Sequence, residues 1–391
     1  MEPLTRAIDK GLECNDQRAL AQVFGASSLS TLGQGEQKAL AGYFVKSVVN
    51  KPGFLPVAFS SPELMGVFQH VLANLPSNVD GAADSKLRQL LFEYKVNEED
   101  DYSGAARVLA GIRMEDDLGS SYFMAPEQKT DVYVKIAECF LEEDETVEAD
   151  GAVTKAGQVV ESIEKPEDHM ALILRYKSTY ARVLDANRKF LQAASRYHDL
   201  SQSATDLIEA DDLLSMLGRA ATCAVLAPSG PQRHRILGKI YNDERLNQLD
   251  AMDGMSTHST ILKKMYLSQV IQKQELTKFE QSLADHQRAT MADGNSIIDR
   301  AVIEHNMIAI SKIYKSIYMA NLARILSTSE AKAERLAANM IMDKSIRGSI
   351  DQVEGIVIFE AAEPSDAAWD RSITAFCGQV SQLATAIKSE A

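Results

Sequence analysis

The sequence predicts an almost wholly helical protein that carries one short β-hairpin near its C-terminal end. Three observations predict it. Apolar residues recur at steps of three and four along most of the 391 positions. A helix–turn–helix pattern repeats at a spacing of 44 residues. Finally, the run Ile356, Val357, Ile358 and Phe359 is made of β-formers and follows a Glu354–Gly355 turn signal.

Composition fits a folded, water-facing chain. Hydrophobic residues make up 45% and charged residues 25%. The net charge of −14, from 55 acidic against 41 basic residues, opposes a phosphate backbone, so nucleic acid is not an expected partner. Cys14, Cys139, Cys223 and Cys377 form no CxxC pair and suit a reducing compartment. The opening MEPLTRAIDKGLEC lacks the apolar core of a secretion signal. No apolar run reaches the ~18–20 residues of a membrane helix, so no membrane partner is expected. The expected location is cytoplasm and nucleus.

Residues 1–80 show helical spacing of an irregular kind, interrupted by a Pro/Gly-containing break at 51–56. The repeat begins after them. Phe92, Ile136 and Tyr180 stand 44 residues apart, and Val96, Phe140 and Leu184 follow one turn later. Beyond a polar turn come Ala105, Ala149 and Ala193, then Leu109, Val153 and Tyr197. Small residues let neighbouring helices approach, and bulky ones fill the layer between them. Such a hairpin cannot bury its apolar face alone, so neighbours must stack, as in TPR-like α-solenoids. The acidic runs 98–101 and 142–145 occupy equivalent places and read as solvated turns. Further helical stripes follow at Ile173, Tyr176, Tyr180 and Val183, and at Leu214, Leu217, Ala221 and Ala224.

After Asn306 the texture changes. Met307, Ile310, Ile313, Tyr314 and Ile317 mark one amphipathic helix, followed by a short helix at 320–326 and a turn at 327–329. A longer helix at 330–343 has Ser329 placed as its N-cap. The hairpin then spans 348–360. Helix, short helix, turn, longer helix and hairpin is the order of a winged helix, a small α/β module. Its wing carries Asp351, Glu354 and Glu360, the wrong sign for DNA. Ile350 and the strand Ile356, Val357, Ile358 and Phe359 instead suggest an edge for pairing with a neighbour's strand. From 366 a last helix places Trp369, Ile373, Phe376, Val380, Leu383 and Ile387 at near-heptad steps. That stripe must bury itself on its own domain or in a bundle with other chains.

No motif of catalysis stands out. HExxH, His-x-His, GxxxxGK[ST] and GxSxG are absent from the sequence, and no metal, cofactor or enzymatic activity is expected. An acid–base pair could be assembled from Asp299 and His305. The spacing of Asp299, Arg300 and Glu304 instead favours a helix with an i,i+4 ion pair from Arg300 to Glu304.

Several runs carry a resemblance. Tyr180 to Tyr197 (YARVLDANRKFLQAASRY), Gly230 to Leu237 (GPQRHRIL), Asp243-Glu-Arg245, His286 to Thr290 (HQRAT) and Ile298 to Asn306 (IDRAVIEHN) resemble the PCI-domain family, most closely its signalosome branch. Lys332 to Ala338 and Gly348 to Gln352 continue the likeness, which is good from about Phe92 to Phe359 and loose over 1–80. The family supplies scaffolds to the proteasome lid, the COP-nine signalosome and a translation initiation factor. The resemblance implies a non-catalytic scaffold, with other PCI and JAMM-type subunits as partners and a cullin–RING ubiquitin ligase as substrate. It implies a helical-repeat arm over 1–255, PCI helices and winged helix over 256–362, and a bundle helix over 366–391. A lid or initiation-factor scaffold, or a nucleic-acid-binding winged helix, remains the alternative.

Overall fold

The computed structural model describes residues 2–380 except 15, 17–19, 21, 25–32, 50–65, 69–70, 73–80, 118–119, 121, 204–206, 253–254, 291–295, 361–368 and 370–371. The chain divides into two compact units, Met1–Glu209 and Ala210–Ala391.

The first unit contains α1 (Glu2–Cys14), α2 (Gln34–Val49), α3 (Gly81–Asn97), α4 (Tyr102–Ala110), α5 (Pro126–Glu142), α6 (Thr146–Val160), α7 (Met170–Ala186) and α8 (Phe190–Ser201). Ile8, Leu40, Phe44, Leu87 and Leu91 share a core, in which Phe24 meets Phe44 edge-on at 4.9 Å. The break expected at 51–56 lies outside the described residues.

The 44-residue period is a stack of hairpins: α3–α4, α5–α6 and α7–α8. Ala105, Ala149 and Ala193 are each 0% exposed, and Leu109, Val153 and Tyr197 are buried beside them. Ile136, Phe140 and Leu184 are buried as well, while Phe92, Val96 and Tyr180 are half-buried. The turns repeat too. Asp100, Asp144 and Arg188 take φ of 52°, 57° and 58°, one per hairpin at the same place. This left-handed step lets the following N–H turn back onto the helix end: Glu145 N–H donates to the Phe140 carbonyl at 2.9 Å, and Lys189 N–H to Leu184 at 2.8 Å. Asp101 serves its own turn, accepting from Gly104 N–H and from Lys95 Nζ at 2.8 Å each.

Charged side chains set the register between hairpins. The acidic side of α5 and α6 faces the basic side of α7 and α8: Arg175 Nε donates to Glu138 at 2.9 Å, Arg182 to Glu142 at 2.9 Å, and Lys189 to Asp150 at 3.2 Å. Glu145 likewise accepts from Ser103 of the preceding hairpin at 3.0 Å. Such partly exposed pairs contribute only ~0.2–1 kcal/mol each. The buried alanine and apolar columns hold the stack; the ion pairs choose its alignment.

The second unit contains α9 (Ala210–Leu226), α10 (Pro231–Tyr241), a 3-10 helix (Glu244–Ala251), α11 (His258–Tyr266), α12 (Lys273–Glu280) and α13 (Ile297–Ile313). Then come β1 (Ser316–Tyr318), α14 (Met319–Ile325), α15 (Glu330–Met342), β2 (Gly348–Asp351) and β3 (Ile356–Phe359). The division after Glu209 falls inside the expected 1–255 arm, because α9 packs on α10, α11, the 3-10 helix and α13. Among the described residues no helix is long and apolar enough to cross a membrane.

The winged helix is present, with one element more than expected. The helix expected to run through Ile317 ends at Ile313, and Ser316–Tyr318 forms β1. Residues 316–318 alternate exposed, buried, exposed, and their backbone gains a partner strand that a further helical turn would forgo. The sheet order is β1-β3-β2, antiparallel throughout, with Ile317 opposite Val357 and Ile350 opposite Val357 on the other side. Met307, Ile310, Leu322, Ala337, Val357 and Phe359 close one core beneath it.

Candidate docking surfaces around the winged helix

Helix α13 organises the second unit. Ser296 and Asp299 form a capping box at its start: Asp299 N–H donates to Ser296 Oγ at 3.1 Å, and the Asp299 carboxylate accepts from Ser296 N–H. Arg300 pairs with Glu304 at 2.9 Å, as the i,i+4 spacing predicts. His305 Nε2–H donates to the Gln269 carbonyl at 2.8 Å. Asn306 clamps the next stretch of backbone, accepting from Ile271 N–H at 2.9 Å and donating to the Ile271 carbonyl at 3.0 Å. Burial presses the His305 imidazole down to about 4, with Arg233 and Lys312 adding to the effect. Asp299 and His305, six positions apart on one helix, sit about 120° apart around its axis and are not brought together.

At the sheet, backbone geometry dictates two glycines. A Cβ on Gly348 would stand 2.3 Å from the Ile358 carbonyl oxygen, so only glycine lets β2 approach β3 there. Gly355 takes φ +66° at the end of the hairpin turn. Ahead of it the Asp351 carboxylate accepts from Val353 N–H at 3.0 Å and Glu354 N–H at 3.1 Å, closing the turn from inside.

The expected pairing edge needs correction. Ile356, Val357, Ile358 and Phe359 form the central strand, paired on both sides, because β1 occupies the flank opposite β2. Val357 and Phe359 are buried. Ile350 does lie on an edge strand, β2, half-buried. The two edges without a strand partner among the described residues belong to β1 and β2. Ile313 and Tyr314, expected on the apolar face of a helix, are instead exposed, as are Tyr318 and Ile358 at the sheet. Of these, Tyr318 alone is not part of a sequence-level stripe; the alternation at 316–318 is its signal.

Beyond the sheet, residues 372–380 are helical. Trp369, Ile373, Phe376 and Val380 are exposed, Trp369 by 70% and Phe376 by 66%. Leu383 and Ile387 lie outside the described residues. The described part of the stripe is therefore not packed on its own domain, and apolar surface of this kind is costly in water.

Comparison with known proteins agrees with this architecture. Residues 253–361 match the PCI domain model, and residues 82–211 match the model described as PSMD12/CSN4, N-terminal. The COP9 signalosome complex subunit 4 of Drosophila melanogaster is 38% identical over 290 residues, which cover 74% of this chain and 67% of that one. The protein of the same name from Dictyostelium discoideum is 36% identical over 289 residues, covering 74% and 69%. That from Emericella nidulans is 34% identical over 342 residues, covering 84% and 79%. With hairpins under one matched segment and a winged helix under the other, the chain belongs to the COP9 signalosome subunit 4 family of PCI-domain proteins.

Proposed function

We propose that the protein is a non-catalytic scaffold subunit of a COP9 signalosome, the complex that removes a ubiquitin-like modifier from the cullins of cullin–RING ubiquitin ligases. The observation that carries this reading is the coincidence, in a chain of that family, of a winged helix with two sheet edges unpaired among the described residues and a following helix on which Trp369, Ile373, Phe376 and Val380 are exposed. In this account the β1 or β2 edge meets other PCI subunits, and the helix from 366 enters a helical bundle with them. The hydrolytic zinc centre belongs to a JAMM-type subunit. The helical hairpins of the first unit reach the cullin–RING substrate. A chain of net charge −14 attracts basic surfaces over distance, so capture of a cullin–RING complex weakens as salt rises.

Gentle affinity purification of the tagged full chain, with mass spectrometry of its partners, tests the assignment. PCI and JAMM-type signalosome subunits in near-equal amounts are expected. Recovery of proteasome-lid or initiation-factor subunits in their place would overturn it.

A further inference from the structure

The second unit holds a cleft of ≈ 610 Å³ that the scaffold role does not use. It opens between the start of α10, the end of α11, helix α13 and the turn after α15, and its lining includes Arg233, Lys312 and Lys344 against one carboxylate, Asp343. In a chain with a net charge of −14 this is a local reversal of sign.

Arg233 is the unusual member. It is 4% exposed, and its recorded hydrogen bonds go to neutral acceptors: the Ala224 carbonyl at 3.1 Å, and the Val225 carbonyl and Met265 Sδ at 2.8 Å. Among the described residues no carboxylate lies within ion-pair distance of it. Glu304 is the one acid whose field it feels, and that carboxylate is held by Arg300 at 2.9 Å and by the Ser229 hydroxyl at 3.2 Å. The carbonyl end of α9 offsets roughly half an elementary charge. Burial pulls the guanidinium down to about 10, with Glu304 opposing the shift.

The other walls add to it. Helix α10 begins at Pro231 with Gly230 as its cap and no side chain accepting from its first N–H groups, and a Cβ at Gly230 would meet nothing within 4 Å. Lys312 spends one N–H on Ser268 at 2.7 Å and is otherwise exposed; Lys344 sits at φ 56° on the turn after α15, also exposed.

A buried guanidinium without a carboxylate partner, two exposed ammonium groups and a helix start without a side-chain cap, gathered in a cleft of small-molecule size, suit a compact dianion. We propose that this cleft binds the phosphate group of a small phosphorylated molecule. Arg233 and the α10 N–H groups hold the anion at the floor, and Lys312 and Lys344 close over it.

Isothermal titration of the full chain with inorganic pyrophosphate at low salt, with 31P line widths in parallel, tests this. Saturable one-to-one binding is expected, weakened at least tenfold in the Lys312→Ala/Lys344→Ala double variant. The surface control Lys46→Ala/Lys177→Ala should bind as the parent does. Circular dichroism checks that each variant folds, and both target lysines are exposed. No heat and no broadening up to about 5 mM pyrophosphate would overturn the proposal. So would equal losses in the two double variants, which would mark non-specific charge. Sedimentation with phosphatidylcholine vesicles, with and without a phosphoinositide, separates the sources. Vesicle binding lost in the Lys312/Lys344 variant assigns the site to a lipid headgroup, and its absence beside pyrophosphate binding assigns it to a soluble ester.

Discussion

Two glycines show how one missing methyl group can be required at one position and wasted at another. Gly348 faces the Ile358 carbonyl at a distance no Cβ tolerates, and the obstacle is backbone of the central strand. Gly348→Ala should therefore destabilise the second unit by about 1–3 kcal/mol. Gly151, within α6, has nothing within 4 Å of its would-be Cβ. Gly151→Ala should stabilise by about 0.5–1 kcal/mol through helix propensity alone. Urea unfolding of the two variants, with opposite shifts in midpoint, checks the pair.

Two buried histidines set a pH dependence. His258, bonded to Thr222 at 2.9 Å, and His305 are each held down to about 4, chiefly by burial. The unfolded chain takes up a proton at each near ~6.5. Since the folded values lie below that, stability is complete above about pH 6.5, falls as pH drops, and levels off near 4. Glu280, whose carboxyl burial pushes upward, acts in the opposite sense, one group against two. The urea midpoint should fall between pH 7 and pH 5, on the order of 1 kcal/mol for each histidine. A midpoint flat over that interval would contradict the assignment.

Elements formed from local pattern were legible, and those formed from distant pairing were not. The hairpins announce themselves because every α-carbon in them is positioned by neighbours within a few residues. Ala105, Ala149 and Ala193 recur because the same close helix approach recurs. Ala149→Leu should thus cost about 1–3 kcal/mol by overpacking, read as a lowered thermal midpoint, whereas the exposed Val147 should accept the same change with little effect. Strand β1 is the counterexample. Its three residues, Ser316–Tyr318, carry a helix-compatible apolar spacing with the stripe before them, and only pairing with β3, about forty residues later, makes them a strand. Without β1 in view, β3 looks like an edge strand; with it, the edges are β1 and β2. The cationic cleft was equally hidden, since Arg233, Lys312 and Lys344 come from three separate stretches of a chain whose summed charge has the opposite sign.

On the scale of the whole molecule, what matters is the apolar surface left uncovered. The stripe Trp369, Ile373, Phe376 and Val380, and the sheet-side group Tyr314, Tyr318 and Ile358, are exposed beside a unit whose core is closed by Met307, Leu322, Val357 and Phe359. Covering such surface contributes ~25 cal/mol per Å². A helix whose described apolar side chains are all exposed is built to bury them elsewhere. Isolated, the protein should self-associate through these groups. The most direct test removes everything after Pro364 and follows the shortened chain in cells beside the full one. The account predicts a folded protein, with an unchanged cooperative unfolding transition, that no longer co-purifies with other signalosome subunits. Normal incorporation of the shortened chain would contradict it.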